Sequence, residues 1–225
     1  GGSMASAKKT DWPRAPAAAG DLSTVRGTTT TDERPAPITT QPNRAGLYFL
    51  CETTVIYLRT VGLDSGVVMC SGGIDVAVGP NNNGGATLPT GGLGLPGNNL
   101  LNNLIPGFTT NDAAVLQFDF TPSSDTIKFK YVFGSEEYME WVNSSFNDVF
   151  GFFLTGPNPA GGAYNNVNIA QIPGTSMPVT IDNVNNFVNN QYYFDNETPP
   201  GQTVQFDGFT TPLTAEAHVV CGQTY

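Results

Sequence analysis

The stretch GSEEYMEWVNSSFNDVFGFF, residues 134–153, concentrates oxygen-bearing side chains. Glu136, Glu137, Glu140 and Asp148 stand among Asn143, Ser144, Ser145 and Asn147, with aromatic residues on both sides and no basic residue. A calcium ion takes about six to eight oxygens from carboxylates, amides, hydroxyls and backbone carbonyls. The spacing does not follow an EF-hand, which needs ligands at fixed odd positions and a glycine at the sixth. Glu136, Glu137, Asn143, Asn147 and Asp148 are therefore candidate ligands for Ca2+ by inventory alone. The alternative is a structural acidic loop whose carboxylates accept backbone hydrogen bonds.

Acid–base catalysis makes poorer use of the same residues. Glycoside hydrolysis wants two carboxyl groups about 5 to 9 Å apart across a cleft. Neighbours such as Glu136 and Glu137 point to opposite faces of an extended backbone, so a pair would need Glu140, Asp148 or a distant acid. His218 is the sole histidine, lies in the apolar run AHVVC, and has no serine or cysteine nucleophile pattern beside it. It reads as a packed side chain rather than a base, and the chain reads as a non-enzyme. Tyr138, Trp141, Tyr192, Tyr193 and Phe194 could stack on a sugar ring, although aromatics at strand spacing are mostly core. NSS at Asn143 and NET at Asn196 match glycosylation acceptors, and DNVNN (residues 182–186) reads as an amide-rich turn.

The bulk composition bounds the class of protein. With 26 Gly, 17 Pro, 14 Phe and only 12% charged residues, the chain reads as short strands joined by turn-rich loops. Seven of the nine Lys and Arg precede residue 60. From Asp75 onward two basic residues face thirteen acidic ones, a net of −11. Such a body repels phosphate backbones, which argues against nucleic acid and suits a secreted protein working among divalent cations. Cys51, Cys70 and Cys221 form no CxxC, so zinc is disfavoured. One disulfide with a spare thiol and three reduced cysteines both stay open, as does the choice of pairing. No apolar run approaches the roughly 18 residues of a membrane span, and no signal-peptide core follows the cloning remnant GGSM.

The elements that must position the acidic stretch are strands. Residues 1–45, rich in Pro, Ala, Thr and Arg, read as a flexible arm, and residues 46–225 as one β domain. GLYFLCETTVIYLR (46–59) and LDSGVVMCSGG (63–73) suggest early strands. Residues 79–107 are a long Gly/Asn-rich excursion, pinned by a helical turn carrying Leu100, Leu101, Leu104 and Ile105. AAVLQFDF (113–120), with Leu116, Phe118 and Phe120 on one face, and TIKFKYVF (126–133) predict a half-buried hairpin around TPSSD. DVFGFFLTG, apolar on both faces, predicts a central strand, and five further short runs complete the spacing of a β-sandwich or jelly roll.

Several segments taken together resemble the choice-of-anchor L domain. They are GLDSGVVM with SGG, IPGFTTNDAAVLQFDF, KYVFGSEEY, VNSSFNDVFGFF, IAQIPGTSMPVTIDNVNN and QFDGFTTPLTA, spanning roughly residues 61–225. The resemblance implies an extracellular module of bacterial surface proteins, often multidomain and closed by varied sorting signals, including those of type IX secretion. It implies no catalytic activity. The family pattern continues past Cys221–Tyr225, so the domain is expected to be truncated, with a strand edge left open.

These readings converge on an extracellular, acidic β-sandwich acting as a structural or adhesive module, stiffened by calcium. The alternative is a carbohydrate-binding or carbohydrate-active domain. Expected partners are a surface glycan or protein, or a second copy through the open edge, without nucleic acid or membrane insertion. Phe146, Val149, Phe150 and Phe152 are expected to anchor the acidic loop to the core.

Overall fold

The computed structural model describes residues 3–8, 46–49, 61–63, 66–72, 79–84, 93–197 and 204–225, with only the backbone described for 3–8 and 46–49. The fold is all-β. A six-stranded antiparallel sheet contains β1 (Ser3–Lys8), β2 (Gly46–Phe49), β3 (Gly66–Cys70), β5 (Phe133–Ser135), β10 (Tyr193–Asp195) and β11 (Gly208–Thr210), in the order β10-β11-β5-β1-β3-β2. Three antiparallel pairs accompany it. They join β4 (Thr126–Tyr131) to β12 (Leu213–His218), β6 (Val149–Phe150) to β9 (Val179–Thr180), and β7 (Phe153–Pro157) to β8 (Ala163–Asn168).

The alternation read in TIKFKYVF is realised. Ile127, Phe129, Tyr131 and Phe133 are buried, while Lys128 and Lys130 face solvent. The partner strand differs from the expected one. Residues 113–120 form no strand, and β4 pairs instead with β12, Leu213 opposite Tyr131 and His218 opposite Thr126. The reason is burial: β12 alternates Leu213, Ala215 and Ala217 inward, matching the apolar face of β4. Phe120 still enters the core, but Leu116 is exposed. On the polar face Lys128 Nζ meets Glu216 Oε2 at 2.9 Å.

Two apolar clusters flank the strands that lead to the acidic stretch. The larger gathers Phe129, Tyr131, Phe133, Tyr138, Leu154, Ile172, Ile181 and Leu213. The smaller holds Val61, Leu63, Val68, Cys70, Val132, Val204, Phe206 and Phe209. Tyr131 and Phe133 point into one and Val132 into the other, so residues 131–133 are buried on both sides. Tyr225 is buried too, its ring stacked on Phe120 with centroids 5.6 Å apart. Phe120 and Tyr225 exchange two backbone hydrogen bonds.

The Gly/Asn-rich excursion carries the expected helical turn, α1 (Asn99–Asn102), capped by the Asn98 side chain, and Ile105 is buried below it. Of the segment read as an arm, Ser3–Lys8 forms β1. The rest of it, and Cys51 with most of 46–59, lies outside the described residues. Cys70 and Cys221 carry free thiols, and burial pushes the Cys70 thiol up to about 12. Among the described residues no helix is long and apolar enough to cross a membrane.

Candidate functional site

The acidic stretch connects β5 to β6, and its floor is a hydrogen-bonded pair. Ser135 Oγ, at the end of β5, donates to Asp148 Oδ2 at 2.8 Å and accepts from the Glu137 N–H at 2.9 Å. Asp148 precedes β6, and its carbonyl accepts from the Ile181 N–H. Burial raises the Asp148 carboxyl above the ordinary aspartate range. The Ser135 bond opposes that shift and nearby Glu137 adds to it. Tyr138 is fully buried, with its ring centroid 4.8 Å from that of Tyr193. Only a glycine fits beneath these rings: a Cβ on Gly208 would lie 2.7 Å from Tyr138 Cδ2 and 2.6 Å from Tyr193 Cε2.

Beyond Tyr138 the chain turns outward through successive local bonds, from Trp141 N–H to the Glu137 carbonyl and from Ser144 N–H to the Trp141 carbonyl. Asn143 adopts the left-handed conformation at φ +59°, which asparagine tolerates better than most residues. Its N–H donates to Asp182 Oδ1 at 2.6 Å, and the Asp182 N–H reaches Asn147 Oδ1 at 3.4 Å. A second brace comes from Glu197, whose Oε1 accepts from the Met139 N–H at 2.9 Å. The Glu197 carboxyl is raised by burial, with Asp195 and Glu140 adding to the shift and the Met139 bond opposing it.

The candidate ligands are thus dispersed in environment. Glu136 is buried, Glu137 half-buried, Asn143 exposed, Asn147 half-buried and turned to Asp182, and Asp148 bonded to Ser135. Among the described residues no three His, Cys, Asp or Glu side chains converge in a way that would hold a metal ion. Asn143 and Asn147 are brought together with Asp182, from the segment that read only as a turn.

The aromatics divide sharply. Tyr138 belongs to the core, whereas Trp141 and Phe146 are 42% and 50% exposed, their centroids 4.9 Å apart at an interplanar angle of 79°. Phe146 therefore does not anchor the loop as expected; Val149 and, partly, Phe150 and Phe152 do. His218 is not packed either. It lies on the exposed face of β12, with Nδ1 3.4 Å from Thr126 Oγ1. Asn196 is buried and its amide donates to the Val204 and Phe206 carbonyls, so NET marks a structural cross-link rather than an open acceptor.

The family model of the Choice-of-anchor L domain matches residues 38–225. The chain belongs to this family. No curated protein and no solved structure matches it. Membership makes this choice-of-anchor L domain a module of a bacterial surface or secreted protein. The braced acidic loop lies within the matched region, as do Asp182 and Glu197, which the spacing of the acidic stretch gave no means of pairing with it.

Proposed function

We propose that this domain is an adhesive module without catalytic activity, and that its contact surface is the tip of the loop between β5 and β6. One observation carries the reading: Trp141 and Phe146 stand edge to face and about half exposed on a loop braced by Asp182. Folding ordinarily buries such rings, and apolar area held open on a fixed loop is available to a partner. The ligand class that suits it is a surface glycan. A sugar ring can stack its C–H face on Trp141 while its hydroxyls exchange hydrogen bonds with side chains such as Asn143 and Glu140. The test is a glycan array followed by titration of the best binder. Trp141→Ala should weaken binding at least tenfold with unfolding unchanged. Equal binding by the variant, or an array without binders, sinks the glycan reading.

Calcium enters this proposal as a stabiliser of the same loop. The observation in its favour is the meeting of Asn143 and Asn147 with Asp182, which adds a carboxylate to the loop's own oxygens. A ligand that binds only the folded state raises the unfolding midpoint by mass action. Millimolar calcium should raise it by several degrees, excess chelator should reverse the rise, and Asp182→Asn should remove it. A midpoint indifferent to both reagents removes calcium from the proposal.

A further inference from the structure

Asp207, just before β11, is fully buried. Its Oδ1 accepts from the Asn81 side-chain amide at 2.8 Å. Asn81 Oδ1 in turn accepts from Gln205 Nε2 at 3.0 Å, and Gln205 Nε2 also donates to the Asn83 carbonyl at 3.0 Å. This network fastens the turn at residues 79–84 to the segment entering β11. The Asp207 carbonyl accepts from the Asn196 N–H, which fixes the segment from the β10 side. Asp207 Oδ2 is buried and has no hydrogen-bond partner among the described residues.

A carboxylate satisfied on one oxygen and cut off from water is a poor site for negative charge. Its surroundings make it poorer. Glu137 and Glu140 act on it from the β5–β6 loop and Glu197 from the end of β10, all of the same sign. Tyr193 of β10 is a further titratable neighbour, Tyr138 packs beside the adjoining Gly208, and Asn81 and Gln205 bring dipoles but no charge. Protonation on Oδ2 removes the charge and leaves Oδ1 as a carbonyl acceptor for Asn81.

We propose that Asp207 is a proton-operated latch: neutral, it rests buried at the entry of β11, and ionised, it is driven toward water by its burial and by Glu137, Glu140 and Glu197, loosening that junction although the Asn81 bond itself strengthens. Burial first, and then Glu140, Glu197 and Glu137, push its carboxyl up to about 7 against the opposing Asn81 bond. The folded state therefore holds this proton more tightly than the unfolded chain, where aspartate titrates at about 3.9. The folded-state proton is lost around pH 7, and its stabilising contribution is fully present below about pH 4, declines from there toward about 7 and is gone above it. The inference does not depend on the glycan reading.

The test is thermal unfolding of the full chain from pH 5.5 to 8.0, for the wild type, Asp207→Asn and Glu140→Gln. The wild-type midpoint should fall by about 4 °C or more across this range. Asp207→Asn, which mimics the neutral acid, should remove most of the fall, and Glu140→Gln should move it to lower pH. A parallel decline in the wild type and Asp207→Asn overturns the proposal. Should Asp207→Asn not fold, the Asp207 carboxyl carbon followed by NMR in the wild type decides. Titration near 7 supports the latch and titration in the ordinary aspartate range overturns it.

Discussion

The backbone N–H of Asn143 meets Asp182 Oδ1 at 2.6 Å, joining two loops 39 positions apart in the chain. Removing that acceptor should free the tip of the β5–β6 loop without unfolding the domain. Asp182→Ala is expected to cost about 1 kcal/mol, the ordinary net value of a hydrogen bond, since this one is exposed. Amide exchange at Asn143 should accelerate, while the strand amides of β4 and β12 should not change. Global acceleration would mean that Asp182 supports the core rather than the tip.

The bond between Ser135 Oγ and Asp148 Oδ2 lies deeper, so its loss should be felt more. Ser135→Ala should destabilise by about 1–3 kcal/mol at neutral pH, measured by urea unfolding. The hydroxyl stabilises the ionised form of Asp148, against burial, which raises the carboxyl. The penalty should therefore be larger at pH 8 than at pH 4, because the ionised fraction of Asp148 grows with pH. An equal penalty at both values would show that the bond to the Glu137 N–H is the one that matters.

Gly208 is the third point of leverage. A methyl group there would stand 2.6 to 2.8 Å from atoms of Tyr138 and Tyr193, both ring systems already in contact. Gly208→Ala should cost about 1–3 kcal/mol through overpacking and should alter the near-ultraviolet tyrosine signal. An unchanged signal with unchanged stability would mean that the two rings can part freely.

Tyr225 holds three segments at once. Its ring stacks on Phe120, its Oη donates to the Pro157 carbonyl at 2.6 Å, and the same oxygen accepts from the Val220 N–H at 2.7 Å. Tyr225→Phe should lose about 1–3 kcal/mol by orphaning those groups. Tyr225→Ala should lose about 3–5 kcal/mol by emptying the site. Equal losses in the two variants would place the whole effect in the hydroxyl.

Period-two patterning made β4 readable, because Lys128 and Lys130 alternate with residues that had to be buried. The same patterning misled at residues 113–120, where Leu116 is exposed and β12 takes the place of the expected hairpin partner. Alternation says which face a strand buries but not which of several matching strands it meets. The acidic loop was legible as a concentration of oxygens, and its connection of two core strands followed from the apolar runs around it. Its braces were not legible, since Asp182 and Glu197 act from 39 and 58 positions away. The exposure of Phe146 was equally hidden, because an aromatic beside an acidic turn has the same letter code whether it faces inward or out.

The clamp between Asn81 and Asp207 spans 126 positions, and Phe133 is bonded to Thr210 across 77. Such contacts give nothing back until a long stretch of chain has been brought round, and the entropy of closing it is lost beforehand. Folding is then limited by distant pairings more than by local turns. Until those pairings form, unpaired strands are open to neighbouring chains. For a module of a bacterial surface or secreted protein, the hazard of going astray falls in the interval before the sheet closes.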